Sequence, residues 1–442
     1  MDFLTDTLPL SLYPLAWLMP SGKLFLQANY KSILYDMEAK KEISLPDMPY
    51  AARVYPASGA AAMLPLTPEN NYTPEILFCG GSSAPELQKS TDAGAGFNVT
   101  AVRADDTCVR IRPDDENPTY TDDDSLPEGR SMGSLVYLPD GTMWLGNGVE
   151  YGTAGYGGEN YSIGVSYGQK PLYTPAVYDP NADSGSRFTR DGFTPSTEER
   201  MYHSTAILLA DGSILVSGSN PNADVTFDGW PTKYSVEKWY PSWYNKPRPV
   251  PSAFPESLSY GGDYWSLTLN DATIDPSKIK VSVVRTGFST HGINFGQRYL
   301  ELETSYSMNQ GTGDITVYAS QMPPNANLFT PGPAMIFLVV DGVPSVGQMI
   351  MIGSGKIETQ PTAAASVLPQ REIIVAPTVT AASGSNALLE PVQTEKAVQT
   401  SNNAIDNSSN LNSVANQGNG ASSLVSPVLA AVLAVMAAAT WM

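Results

Sequence analysis

The sequence predicts an all-β protein, and three observations carry that prediction. Glycine (37), proline (36) and tyrosine (23) are plentiful among the 442 residues, while charged residues make up only 16%. Few long stretches repeat apolar residues at the 3.6-residue period of a helix, so helices should be a minority. Strand-like apolar runs recur in pairs around tight turns that end in glycine.

The pairs read YPLAWLMPSGKLFLQANY (residues 13–30), SLVYLPDGTMWLGNG (134–148) and STAILLADGSILVSGSN (204–220), with a less regular copy, AAMLPLTPENN to EILFCGGSS, ending at Ser83. Asp-Gly and Ser-Gly between alternating apolar residues predict hairpins, because glycine supplies the positive φ that such turns need. Recurrence every ~50 to 70 residues suits the blades of a β-propeller with long loops, and four blades can be counted. Four blades rarely close a ring, so the count predicts further blades upstream. A flat sandwich of hairpins is the alternative.

Near Pro241 the pattern changes. The proline- and aromatic-rich YPSWYNKPRPVPSAFP (240–255) predicts an ordered connection. The runs YWSLTL, KIKVSVVRT, YLELETSYS, GDITVYA and AMIFLVV then predict an immunoglobulin-like sandwich ending near Ile357. The expected units are therefore a partial propeller over 1–245, a sandwich over 246–357, a disordered Ser/Ala/Asn-rich stalk over 358–416, and an attachment signal with a hydrophobic tail over 417–442. The stalk follows from composition, since such a segment buries too little apolar surface to offset its ordering entropy.

Residues 424–442 carry no charge, follow a cluster of small residues at 416–422, and precede no basic cluster. That is the pattern of a GPI-attachment signal, with a tail-anchored transmembrane helix as the alternative. Glycosylation acceptors stand at Asn71, Asn98, Asn160 and Asn407, a set that matters only in the secretory pathway. Yet the N-terminus lacks a basic region and carries Asp2 and Asp6 ahead of its apolar residues, a poor signal peptide. The two ends disagree, and residues are expected to be missing upstream. The expected location is extracellular, at the cell surface.

The net charge of -19, from 44 acidic and 25 basic residues, argues against nucleic acid as a partner. Only Cys79 and Cys108 are present, which excludes cysteine-rich zinc and iron–sulfur sites and leaves either one disulfide or two buried thiols. The acidic run 114–124 lacks the glycine and spacing of a calcium loop and reads as a solvated face. The glycine-rich segment 151–164 reads as a mobile loop that borders a substrate opening. Trp239, Trp243 and Tyr244 fit interdomain packing, with a sugar-stacking platform as the alternative.

The chain holds two histidines. His203 lies in ERMYHSTAILLADG, directly after Tyr202, and His291 lies in RTGFSTHGINFGQRYLEL. A lone histidine is more often a hydrogen-bonded structural residue than a ligand. Adjacent side chains of a regular strand also face opposite ways, so Tyr202 and His203 can share one metal only if the backbone is irregular there. Gln297 and Arg298 are expected either to position the His291 loop or to form a surface or interdomain salt bridge.

The strings RMYHSTAILLADGSILVSGSNPN, THGINFGQR and TPGPAMIFLVVDGVPS resemble, in order and wording, the copper radical oxidases of the galactose oxidase and glyoxal oxidase group, most closely the fungal glyoxal oxidases. The likeness runs from about Phe3 to Ile357. It implies the C-terminal blades of a seven-bladed kelch-type propeller, followed by an early-set immunoglobulin-like domain. It implies copper held by Tyr202, His203 and His291, with Tyr202 as the catalytic base. The implied reaction oxidises small aldehydes such as glyoxal or methylglyoxal to carboxylic acids and reduces O2 to hydrogen peroxide.

The same resemblance implies a radical cofactor, a tyrosine joined to a cysteine. No R-x-Y or F-C segment matching that pair is found ahead of Tyr202, so the cofactor is expected only in a longer parent. Cys79, in ILFCGGSS, resembles the family's structural cysteine and is expected to pair with Cys108. The expected partners are a small aldehyde, O2 and, through a GPI anchor, the plasma membrane or cell wall, with the chain a monomer. The rival is a non-catalytic kelch-like cell-surface binding protein or pseudoenzyme.

Overall fold

A computed structural model describes residues 1–89, 96–158 and 160–375. The attachment signal, Asn407 and the stalk beyond residue 375 lie outside the described residues. Strands dominate as expected: the described helical segments are the short helix Asp2–Asp6 and three 3-10 turns.

Four antiparallel sheets follow one another along the chain. The first orders Leu15–Leu18, Leu24–Ala28, Lys31–Asp36 and Lys41–Ser44 as a meander. The second does the same with Ala60–Met63, Ile76–Cys79, Cys108–Ile111 and Thr121–Asp123. The third runs Ser134–Tyr137, Met143–Gly146, Ala176–Tyr178 and Phe188–Thr189, interrupted by a two-stranded excursion of Val149–Tyr156 against Ser166–Pro171. The fourth has three strands, Ser204–Leu208, Ile214–Gly218 and Val236–Trp239. The predicted Asp-Gly hairpins are in place: Gly141 and Gly212 have φ of 93° and 80° in the turns after Ser134–Tyr137 and Ser204–Leu208.

The excursion corrects the reading of 151–164 as a mobile loop over its first part, since residues 151–156 belong to the strand Val149–Tyr156. Its glycines do not break the strand because Gly152 and Gly155, at φ 84° and 105°, sit where the register shifts between Gly152 and Tyr156.

A sandwich follows. One sheet orders Ser257–Leu258, Gln348–Ile352, Gly332–Val340, Ile279–Arg285 and Arg298–Leu302, and the other begins Trp265–Asn270, Asp314–Ala319 and Thr304–Asn309. Alternation sets the faces, as in Trp265–Asn270, where Leu267 and Leu269 are buried and Ser266, Thr268 and Asn270 are exposed. The expected end of the sandwich at residue 357, with a stalk from 358, is corrected by two later strands. Thr362–Ala365 pairs in parallel with Tyr260–Gly262, and Glu372–Ile374 pairs in parallel with Thr304–Asn309. Every side chain of both is exposed, so main-chain hydrogen bonding to open sheet edges holds them, and apolar patterning gives no sign of it.

Residues Met1–Thr378 form one compact unit. One apolar cluster joins Leu15, Phe25, Met63 and Phe78 of the first two sheets to Val281, Leu300 and Ile336 of the sandwich. A second joins Leu135, Trp144 and Ile214 of the third and fourth sheets to Tyr299 and Phe337. The sandwich therefore shares its core with the sheets before it, which fixes the position of anything it projects among them.

Candidate metal centre

What it projects is a hairpin. Between Ile279–Arg285 and Arg298–Leu302 the chain leaves the sheet as Phe288–Thr290 paired with Ile293–Phe295, and His291 and Gly292 form its turn. The hairpin touches Ala60–Met63, Ser134–Tyr137 and Ser204–Leu208, the first strands of three successive sheets. Asn294 Nδ2 and Gln297 Nε2 both donate to the Leu135 carbonyl, at 3.0 and 2.7 Å. Ser289 Oγ donates to the Ser204 carbonyl at 3.2 Å, and Ser58 Oγ donates to the His291 carbonyl at 2.8 Å.

Of the two roles left open for Gln297, the structure gives it the loop-positioning one. Arg298 makes no ion pair among the described residues; it is buried, donates to Met63 Sδ, and ties the sandwich to the second sheet. Burial without a carboxylate partner pushes its guanidinium down to about 10.

Gly292 makes the close fit possible. At φ +75° an added Cβ would stand 2.8 Å from Met132 Cγ and 3.3 Å from Ser58 Cβ. Gly292→Ala is expected to destabilise the protein by about 1 to 3 kcal/mol, from backbone strain and a displaced hairpin tip. Urea unfolding checks this, and a midpoint equal to that of the wild type would contradict the close fit.

Tyr202 and His203 precede the strand Ser204–Leu208, in a turn. His203 has φ 63°, so the strand's alternation has not begun, and the adjacent rings stack with centroids 4.0 Å apart and planes at 27°. The irregular backbone that sharing one metal demands is therefore present. His291 is also left-handed, at φ 54°. Such backbones in bulky residues cluster at functional sites. His203 Nδ1 donates to the Asn220 carbonyl at 2.8 Å, and His291 Nδ1 bonds the Thr290 hydroxyl at 2.8 Å. Neither bond uses Nε2, which leaves that nitrogen of each ring for a ligand.

The hairpin brings His291 to 6.4 Å from the Tyr202 ring. Three tyrosines that the sequence reading did not single out surround the group. Tyr13 stacks on His291 at 3.5 Å, Tyr55 meets His291 edge-on at 5.3 Å and hydrogen-bonds Tyr202, and Tyr156 lies 6.4 Å from both Tyr202 and His203. A signal for Tyr55 existed: Arg53, Val54 and Tyr55 form an R-x-Y string, and Phe78 and Cys79 an F-C string. Neither makes a tyrosine–cysteine pair, because Cys79 is bonded to Cys108, its direct neighbour across two strands, as expected.

Desolvation of its ring lowers the basicity of His203, although the residue keeps solvent contact, and desolvation followed by the proximity of His203 lowers that of His291, a direction that favours the neutral form ligation requires. Burial, helped by Tyr55, pushes the Tyr202 phenol well up. A nearby cation works in the opposite direction.

Among the described residues no three His, Cys, Asp or Glu side chains gather in a metal-holding group. A metal at this centre must then combine two imidazoles with phenol oxygen. That mixed nitrogen and oxygen set suits Cu(II), and the residues present fit copper.

The other flagged residues are structural. Trp243 is buried, donates to Asp140 Oδ2 at 2.7 Å and lies under the Arg248 guanidinium, while Trp239 packs 6.4 Å from Trp144. Tyr244 donates to Asp211 Oδ2 at 3.0 Å. The acidic run is not a uniformly solvated face: the Asp123 carboxylate is fully buried between Arg110, Arg187 and Tyr178 because those cations are present to receive it. Asn71, Asn98 and Asn160 are exposed.

Comparison with known proteins accords with this geometry. Residues 1–243 match the family described as "Glyoxal oxidase N-terminus", and residues 248–352 match "Galactose oxidase-like, Early set domain". The chain is 32% identical over 359 residues to an Arabidopsis thaliana protein named aldehyde oxidase GLOX1, with 77% of this chain and 55% of that protein covered. It is 32% identical over 350 residues to aldehyde oxidase GLOX of Vitis pseudoreticulata, covering 77% and 62%. The chain thus spans little more than half the length of these relatives. A solved structure of a fungal alcohol oxidase of the AA5 family, in complex with copper, shares the fold at a TM-score of 0.51 and 18% identity, over 77% of this chain and 75% of that one. With more than half of its residues matched and its hairpin-borne histidine set beside the Tyr202–His203 pair, the chain belongs to the glyoxal oxidase family, with a galactose oxidase-like early set domain.

Proposed function

We propose that this chain carries the copper-holding part of an oxidase that converts small aldehydes to carboxylic acids, with water consumed and O2 reduced to hydrogen peroxide. The observation that carries the reading is that His203 and His291 both stand beside the Tyr202 ring. They come from different sheets, each on a left-handed backbone and each with Nδ1 already bonded, beside the Tyr202 phenol. Copper, when bound, supplies Lewis acidity toward a substrate oxygen and an acceptor for electrons.

The chain's own groups do the rest. His203 and His291 hold the metal, and Tyr202, made more acidic by it, accepts the proton of the hydrated aldehyde's hydroxyl. Tyr55 is within hydrogen-bond reach of Tyr202 and can pass that proton on. Tyr13 and Tyr156, about two-fifths exposed at 42% and 40%, line the approach.

A second reading, copper binding without turnover, is favoured by one observation. The chain has two cysteines and they are joined to each other, which leaves no thiol to modify a tyrosine. The chain is therefore expected to bind one equivalent of Cu(II) by calorimetry, with nitrogen hyperfine structure in its electron paramagnetic resonance (EPR) spectrum, and to release no peroxide with glyoxal or methylglyoxal. Peroxide release would overturn the second reading, and failure to bind copper would sink both. The uncharged C-terminal tail and the three exposed Asn acceptors support a further proposal, a glycosylated protein held at the cell surface.

A further inference from the structure

We propose that Tyr13 sets the plane of the His291 imidazole by stacking on it and is not itself a ligand, an inference that rests on the copper reading above. The two rings stand 3.5 Å apart, centroid to centroid, with planes at 20°. Tyr13 precedes the strand Leu15–Leu18 at φ 54°, a left-handed backbone that bulky residues seldom adopt. The residue is 42% exposed, so burial does not explain the strained placement. Tyr55 braces the pair, meeting Tyr13 at 5.6 Å and 89° and His291 at 5.3 Å and 85°.

The histidine needs such support. It sits at the tip of a turn, and rotation about the bond to an imidazole ring is soft. The Thr290 hydroxyl holds Nδ1 at a point, which leaves the ring free to swing about that contact. A flat neighbour at stacking distance removes that freedom, and its electron-rich face favours the positive charge of a metal-bound imidazole.

The stacked contact turns the face of the Tyr13 ring, rather than its hydroxyl, toward the imidazole, which is the arrangement of a positioning group and not of a ligand.

Two variants of the whole chain test this, Tyr13→Phe and Tyr13→Ala, with two readouts. The chain has only two histidines, so the His291 Hε1 proton resonance is readily assigned. Without metal it should be shifted upfield by the Tyr13 ring, stay there in Tyr13→Phe, and move downfield in Tyr13→Ala. Cu(II) affinity should stay within about twofold in Tyr13→Phe and fall about five- to tenfold in Tyr13→Ala, with broadened hyperfine lines. An unmoved resonance in Tyr13→Ala would overturn the proposal. So would a Tyr13→Phe variant that loses as much affinity as Tyr13→Ala, since the hydroxyl and not the ring would then matter. Absence of copper binding by the wild-type chain would count against the copper reading alone, because the metal-free resonance still decides the stack.

Discussion

Replacing His291 with alanine is expected to weaken Cu(II) binding by more than about 100-fold, since altering even the groups behind a ligand costs about 10- to 100-fold. The chain offers a metal two imidazoles in all, and removing one leaves a single nitrogen beside the Tyr202 phenol, which burial keeps in its neutral form. A structural histidine would behave differently. His291 is half-buried, and losing its stack on Tyr13 would cost stability of about 1 kcal/mol without touching metal affinity. His291→Asn separates the two, because asparagine tolerates the left-handed backbone and keeps a polar side chain at the turn. If His291→Asn unfolds like the wild type and has lost copper in calorimetry and EPR, the imidazole is the ligand. Copper binding of unchanged affinity and stoichiometry in both variants would contradict the assignment.

The fold class was legible because it rests on local chemistry. Glycine in Asp-Gly turns and alternation along short runs report hairpins wherever they occur, and the sheets at Ser134–Tyr137 and Ser204–Leu208 follow from them. The strands Thr362–Ala365 and Glu372–Ile374 were not legible, because an added strand with every side chain exposed leaves no pattern.

The centre divides in the same way. Tyr202, His203 and His291 stood out through rarity and through strings resembling a family. Tyr55 carried an R-x-Y string that could have marked it, whereas Tyr13 and Tyr156 are two of 23 tyrosines with no such mark, and only the folded chain brings them to one place. Composition misread Asp123 for a related reason. A run of carboxylates looks solvated until the cations that receive one of them, Arg110 and Arg187, are found on other strands and loops.

That buried carboxylate gives the largest effect on stability expected here. Asp123 has no exposed side-chain surface, accepts from the Tyr178 hydroxyl at 2.5 Å, and pairs with both Arg110 and Arg187, which are themselves only 12% and 21% exposed. Asp123→Ala leaves two largely desolvated guanidinium groups facing a void. Removing one partner of a buried ion pair costs about 3 to 5 kcal/mol. Glu75, 3.5 Å from Arg110, offsets part of this, so about 3 kcal/mol is expected. Asp123→Asn should recover some of the loss, since an amide oxygen still accepts from Tyr178 but supplies no charge.

The pH dependence has a definite sign. Burial alone would raise the Asp123 carboxyl, but hydrogen bonds from Tyr178 and Arg110 and the charge of Arg110 outweigh it and hold the group below the ordinary carboxylate range. Its contribution is thus fully present above about pH 4, the unfolded value, and is lost as pH falls through the lower folded value. The difference in unfolding free energy between wild type and Asp123→Ala should therefore be constant from neutral pH down to about pH 4 and shrink below it. Urea titrations at a series of pH values measure this difference. A gap below about 1 kcal/mol at pH 7, or one that widens on acidification, would show that the network does not hold the second and third sheets together.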